Sequence, residues 1–130
     1  MVKKVFIDPG HGGKDPGASG NGLQEKNVTL QISLKTRDIL LNEYEGADVK
    51  LSRTGDTYPS LNDRSNAANA WGADICVSIH INSGAASAKG FESFRWNKTT
   101  DAATTALHNT LHAAVLKREG LDDRGKKTAD

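Results

Sequence analysis

Lys4-Val-Phe-Ile-Asp-Pro-Gly-His-Gly-Gly13 is the stretch whose reading decides the fold. The apolar run Val5-Phe-Ile7 is closed at once by Asp8 and by Pro9-Gly10. That pattern reads as a short strand, Lys4 to Asp8, buried on both faces. Residues 9–22 hold six glycines and two prolines and form a loop. Loops of this length without structure of their own are often functional.

Working outward, a helical pattern runs from Glu25 to Asn42. Val28, Ile32 and Ile39 share one side, and Leu30, Leu34 and Leu41 share nearly the opposite one. A helix apolar on two sides needs cover on both: a sheet on one, a further layer on the other. Ala47–Leu51 is a second strand. Ser60-Leu-Asn-Asp63 has the spacing of a capping box and opens a helix over Leu61–Trp71, stopped by Gly72. Asp74–Ile81, nearly all apolar, is a third strand, expected central and parallel. Gly84–Gly90 is a small-residue loop and Phe91–Trp96 a fourth strand. Asp101–Lys117 is a third helix, with Ala103, Leu107, Leu111 and Ala114 as its apolar stripe. Gly120–Asp130 is polar, without period, and expected to fray. Strands alternating with helices predict a single α/β domain over residues 1–130 with a largely parallel sheet.

In open α/β sheets, ligands sit beyond the carboxyl ends of the strands. His11 lies three residues past the first strand, His80 lies at the end of the third, and Glu25 opens the first helix. If the two strands are parallel neighbours, the three side chains meet at one edge. Two neutral imidazoles and a carboxylate leave one position open on a tetrahedral zinc, the ligand set of a hydrolytic site. Asp8 or Asp15 is placed to accept the second N–H of a ligand histidine. The same residues also fit a loop histidine, a satisfied core histidine and a favourable first-turn acid. The residues alone leave the two readings open.

Other features narrow the field. The formal net charge is +1, from 17 basic and 16 acidic residues, which argues against a nucleic acid or an anionic membrane held mainly by charge. No apolar stretch approaches the roughly 20 residues of a membrane span, so no membrane insertion is expected. Cys76 is the single cysteine, which excludes a disulfide scaffold; it is expected to be a small buried hydrophobe. His108 and His112 stand four apart on the third helix, away from its apolar stripe, and are expected to be exposed. Asn109 occupies the position where a His-Glu-x-x-His motif needs its glutamate. Gly10-His-Gly-Gly-Lys14 lacks phosphate-loop spacing, which weakens a nucleotide-binding reading. Trp71 and Trp96 are read as packing residues or groove walls.

Six segments together carry a specific resemblance. They are Val5–Ala18, Leu23–Asn27, Leu51-Ser-Arg-Thr54, Asn62–Asn69, Ser78-Ile-His-Ile-Asn-Ser83 and Gly90-Phe-Glu92. In order and over almost the whole chain, the sequence resembles the zinc-dependent N-acetylmuramoyl-L-alanine amidases of bacterial autolysins and phage endolysins. The resemblance implies Zn2+ held by His11, Glu25 and His80. It implies peptidoglycan as partner, cut at the amide between the lactyl group of muramic acid and L-alanine. It implies a twisted, mostly parallel sheet between helices. The family's domain runs on past a segment like Arg124-Gly-Lys-Lys-Thr128 into another strand, with a catalytic glutamate, and a closing helix. That glutamate has no counterpart before Asp130, and Glu92 is the local carboxylate to test in its place.

The amino terminus does not read as a signal peptide, because Val5-Phe-Ile7 is far shorter than the roughly 7–15 residues of an h-region. The expectation is a protein made in the cytoplasm that acts on the wall after lysis or release. A different class of function, a non-catalytic peptidoglycan-binding or regulatory fragment using the same cleft, remains beside the amidase reading.

Overall fold

The computed structural model describes residues 1–83 and 87–130. The chain falls into two compact units, Met1–Ser83 and Gly84–Asp130. The element order is β1 (Lys3–Pro9), β2 (Ser19–Gly20), β3 (Leu23–Gln24), α1 (Glu25–Glu43), β4 (Ala47–Leu51), α2 (Leu61–Trp71), β5 (Ile75–Ile79), β6 (Phe91–Trp96), α3 (Ala102–Glu119) and β7 (Asp123–Ala129). This is the expected mixed α/β architecture. Three of the four strand pairings are parallel, and only the short β2–β3 pair is antiparallel. Part of the expected Gly84–Gly90 loop, residues 84–86, lies outside the described residues.

In the first unit the strand order is β4-β1-β5. The strand at the centre is therefore β1, not β5. Val5, Ile7 and Pro9 register with Ile75, Val77 and Ile79. Phe6 and Ile7 are buried, as their apolar run requires. Cys76 is exposed, contrary to expectation. It shares the exposed face of β5 with Ser78, while Ile75, Val77 and Ile79 on the opposite face are half-buried.

The buried apolar set of the described residues is small: Phe6, Ile7, Leu51 and Ala68. Polar side chains fill the rest: Asp8, Glu25, Thr29, Ser33, Arg53 and Arg64 are buried in this unit. Helix α1 packs on β1 and β4. Its most buried face is Glu25, Thr29 and Ser33, one residue per turn, rather than either leucine-isoleucine side. Small hydroxyl residues let the helix approach closely, and each hydroxyl finds an acceptor. Thr29 Oγ1 donates to the Gly10 carbonyl at 2.8 Å, and Ser33 Oγ to the Thr29 carbonyl at 2.7 Å. Ile32, Ile39 and Leu41 are exposed.

Helix α2 forms as its local sequence dictates. Ser60 Oγ accepts from the Asp63 N–H, Asp63 accepts from the Ser60 N–H, and Gly72 closes the helix in the left-handed region at φ 72°.

In the second unit, β6 and β7 pair in parallel with a register shift between Phe91 and Ser93, and α3 packs on both. Two expectations change here. Gly120–Asp130 does not fray: Asp123–Ala129 is a strand. Nothing in Asp-Arg-Gly-Lys-Lys-Thr-Ala alternates; the strand is held by backbone pairing to β6. The second change is the face that α3 buries. Its buried residue is His112, with His108 half-buried, while Ala103, Leu111 and Ala114 are exposed. Ser93 Oγ lies 2.7 Å from His108 Nε2 and 2.8 Å from His112 Nδ1, and His112 Nε2 lies 2.9 Å from Asp123 Oδ1. Those hydrogen bonds make a polar face the packing face.

Candidate metal centre

The loop after β1 reaches its shape through two buried arginines. Arg64 donates from Nη1 to Asp8 Oδ1 at 2.8 Å and to the Pro9 carbonyl at 2.7 Å, and from Nη2 to the His11 carbonyl at 2.8 Å. Arg53 donates from Nε to the Pro9 carbonyl at 3.2 Å, and from Nη2 to the carbonyls of Gly10 and Lys26 at 2.9 and 2.8 Å. Carbonyls turned inward by a glycine-rich loop must find donors, and these two side chains supply them. The clamp holds His11 in the left-handed region, at φ 62°, which a residue with a side chain rarely adopts.

Asp8 completes the clamp. Burial pushes its carboxyl up, but the hydrogen bonds from Ser52, Arg64 and Ser78 outweigh this and leave its pKa below the ordinary value. At Arg53 the direction reverses: burial lowers the guanidinium's pKa and the positive Arg64 adds to the effect.

Because β1 and β5 are parallel neighbours, the residues just past their carboxyl ends lie side by side. The Gly10 N–H donates to the Ile79 carbonyl at 2.9 Å. A methyl group at Gly10 would stand 2.5 Å from His80 Cε1, so only glycine leaves room for the imidazole. Gly17 plays the same part on the other side, at φ 66°. A Cβ there would stand 2.6 Å from His11 Cδ2 and 2.7 Å from Glu25 Oε2.

The three side chains singled out in the sequence converge. His11 Nε2 is 3.1 Å from Glu25 Oε1, and His80 Nδ1 is 3.2 Å from Glu25 Oε1 and 3.3 Å from His11 Nε2. Among the described residues, His11, Glu25 and His80 form the one group of three able to hold a metal ion. Side-chain exposure rises from 6% at Glu25 through 24% at His11 to 49% at His80, so the site opens to solvent on the His80 side.

Protons decide what this triangle means. His11 Nδ1 lies 2.8 Å from Asp15 Oδ2. The Asp15 pKa is lowered, first by this bond and then by the Gly17 N–H, so the carboxylate accepts and Nδ1 donates. When that ring is neutral, as metal ligation requires, Nε2 presents a bare lone pair. Burial raises the Glu25 pKa, but the N–H groups of Ala18 and Ile81, the charge of His11 and the His80 hydrogen bond bring it below its ordinary value. Glu25 Oε1 is an acceptor 3.1 Å from His11 Nε2. A proton on His11 Nε2 bridges the two as an ion pair, and a cation held by all three side chains can take that proton's place. Metal–donor bonds of about 2.0–2.1 Å place tetrahedral donors about 3.3–3.4 Å apart. The observed separations of 3.1–3.3 Å fit that edge.

Of the two carboxylates considered as partner to a ligand histidine, Asp15 takes the role and Asp8 serves the arginine clamp. Glu92 belongs to the second unit, where Lys127 and Arg124 engage it. The hydrogen bond from Lys127, above all, lowers its pKa. Sequence reasoning missed Arg53 and Arg64 as functional supports. The available signal was their presence inside Leu51-Ser-Arg-Thr54 and Asn62–Asn69, segments already marked by the resemblance.

A cavity of about 90 Å³ adjoins the site, lined by His11, His80, Asp15 and Arg64 and walled by Tyr58 and Leu61. Among the described residues, no helix is long and apolar enough to cross a membrane.

The chain is similar to known proteins over nearly its whole length. The family model for N-acetylmuramoyl-L-alanine amidase matches residues 5–130. A sporulation-specific N-acetylmuramoyl-L-alanine amidase of Bacillus subtilis is 59% identical over 127 residues, covering 98% of this chain and 49% of the relative. An endolysin of Bacillus phage SPP1 is 46% identical over 134 residues, covering 100% of this chain and 49% of its own. The crystal structure of an N-acetylmuramoyl-L-alanine amidase from Clostridium difficile 630 superposes with a TM-score of 0.92 at 37% identity, covering 99% of this chain and 70% of that one. The chain thus spans about half the length of the curated relatives it matches.

Proposed function

The chain belongs to the N-acetylmuramoyl-L-alanine amidase family, and from that premise we propose that it is a zinc-dependent peptidoglycan amidase. The bond cut is the amide between the lactyl group of N-acetylmuramic acid and the L-alanine of the stem peptide. The carrying observation is the convergence of three ligand-type side chains, with His11 Nε2 and His80 Nδ1 at 3.1 and 3.2 Å from Glu25 Oε1. In this reading residues 1–130 belong to one catalytic domain that acts on the cell wall.

When bound, zinc supplies Lewis-acid polarisation of the amide carbonyl and lowers the pKa of water toward about 7. The protein's residues do the rest. His11, Glu25 and His80 would hold the ion. Asp15 fixes the His11 tautomer that donates Nδ1–H and keeps Nε2 bare. The N–H groups of Ala18 and Ile81 orient the Glu25 carboxylate from both oxygens. Tyr58 and Leu61, both exposed, form an apolar wall for the glycan or peptide. Glu92 is given no proton-transfer role, because two cations hold its carboxylate.

The test is digestion of isolated peptidoglycan by the zinc-loaded chain. New L-alanine amino groups should appear and should disappear with His80→Ala. Absence of release at saturating zinc removes the catalytic reading for this chain. One observation favours a second reading, in which the chain grips peptidoglycan without cutting it. The acids at and beside the site are all committed: Asp8 to Arg64, Asp15 to His11, and Glu25 to the donor triangle. Sedimentation of the chain with peptidoglycan, without amine release, selects that reading.

A further inference from the structure

The second unit carries an open groove of about 480 Å³, within the range of about 300–1,000 Å³ usual for ligand sites. Its lining comprises Arg95, Lys126, Lys127, His108, Asn109 and two threonines, and among the described residues no carboxylate lines it. The three fixed cations differ in their partners. Lys127 is paired with the Glu92 carboxylate. Lys126 Nζ donates to the neutral Asn109 Oδ1 at 2.7 Å, and Arg95 Nη1 to the Thr99 carbonyl at 3.3 Å. Those neutral partners fix the two side chains in place; Lys126 also feels the Asp123 carboxylate, while Arg95 has a carbonyl as its hydrogen-bond partner.

The groove walls are pinned as well. Asp123, whose pKa is lowered chiefly by its bond with His112, accepts from His112 Nε2. His112 Nδ1 and His108 Nε2 both lie within hydrogen-bond reach of Ser93 Oγ, at 2.8 and 2.7 Å. One hydrogen-bonded chain, His108, Ser93, His112 and Asp123, ties α3 to β6 and β7 and holds the His108 ring, which lines the groove, in place.

We propose that this groove is an oxyanion site that takes a phosphate group through Arg95 and Lys126, with Thr105, Thr128 and Asn109 as neutral polar groups around it. Two sources share this chemistry: free phosphate, and phosphate carried on a polymer.

The test titrates the full chain with inorganic phosphate and with a short polyphosphate at fixed low salt, followed by backbone amide shifts in NMR. Saturable binding is expected, with shifts clustered at Arg95, Thr105, Lys126 and Thr128. Lys126→Gln and Arg95→Gln should each weaken phosphate by about tenfold, the usual size of one charge-assisted hydrogen bond. Lys35→Gln, at an exposed position of α1 outside the groove, should leave binding within twofold. Thermal melting establishes that each variant is folded, and either groove variant suffices if the other is not. Polyphosphate binding more tightly with the same dependence on Lys126 identifies a polymer as the source; equal or weaker binding identifies the free anion. The site is overturned if phosphate binding does not saturate, or if Lys35→Gln weakens it as much as Lys126→Gln.

Discussion

Arg64 Nη1 and Asp8 Oδ1 meet at 2.8 Å in the interior of the first unit, 56 residues apart in sequence. Both side chains are about nine-tenths buried. Removing one partner leaves the other as an uncompensated buried charge. Asp8→Ala and Arg64→Ala should therefore each cost about 3–5 kcal/mol of stability, measured by urea unfolding. A cost below 1 kcal/mol for both would show that the pair does not organise the loop.

The same pair sets an acid limit. The folded-state pKa of Asp8 is depressed, so its contribution is present above the unfolded value of about 3.9 and is lost as pH falls through the folded value. Stability measured between pH 6 and pH 2 should fall in the lower half of that interval. Asp8→Asn should flatten that part of the profile. A profile unchanged by Asp8→Asn would assign the acid loss to other carboxylates.

Metal binding should depend on the triangle and on its support. The purified chain should hold one zinc, and His80→Ala should remove most of it, as read by atomic absorption after dialysis. Asp15→Ala keeps all three donors but frees the His11 tautomer. Its zinc affinity, by competition with a chromophoric chelator, should drop about 10–100-fold. An unchanged affinity would mean that Asp15 does not orient His11.

Gly17 tests the cradle without touching a donor atom. Gly17→Ala places a Cβ against His11 and Glu25, at a φ of 66° that alanine resists. Zinc affinity should fall at least tenfold, and stability by more than 1 kcal/mol. Gly22→Ala, at φ 75° with open space around it, separates the two effects. It carries the backbone strain alone and should leave zinc affinity unchanged.

What the sequence revealed follows the range of each signal. Helix α2 was readable to its ends because Ser60, Asp63 and Gly72 act within a few residues of themselves. His11, Glu25 and His80 could be brought together in advance because parallel neighbouring strands deliver their following residues to one edge. The arginines could not be read this way. A lone Arg53 or Arg64 looks like surface, and its burial comes from carbonyls supplied by a distant loop. The face of α1 was misjudged because Thr29 and Ser33 are buried through hydrogen bonds, which hydrophobic periodicity does not count. Strand β7 was missed for a related reason: its order resides in backbone pairing with β6, while its side chains are almost all exposed. On α3, His112 displaced the alanine-leucine stripe because Ser93 and Asp123 complete its hydrogen bonds.

The Arg53 and Arg64 clamp also orders events in time. A ribosome releases residue 11 long before residues 53, 64 and 80, so the emerging amino terminus has neither its carbonyl partners nor its last donor. The cradle closes only once residue 80 has left the exit tunnel. Any ion the cradle takes would thereby be captured late in maturation, and a nascent chain stalled before Arg64 should emerge empty-handed.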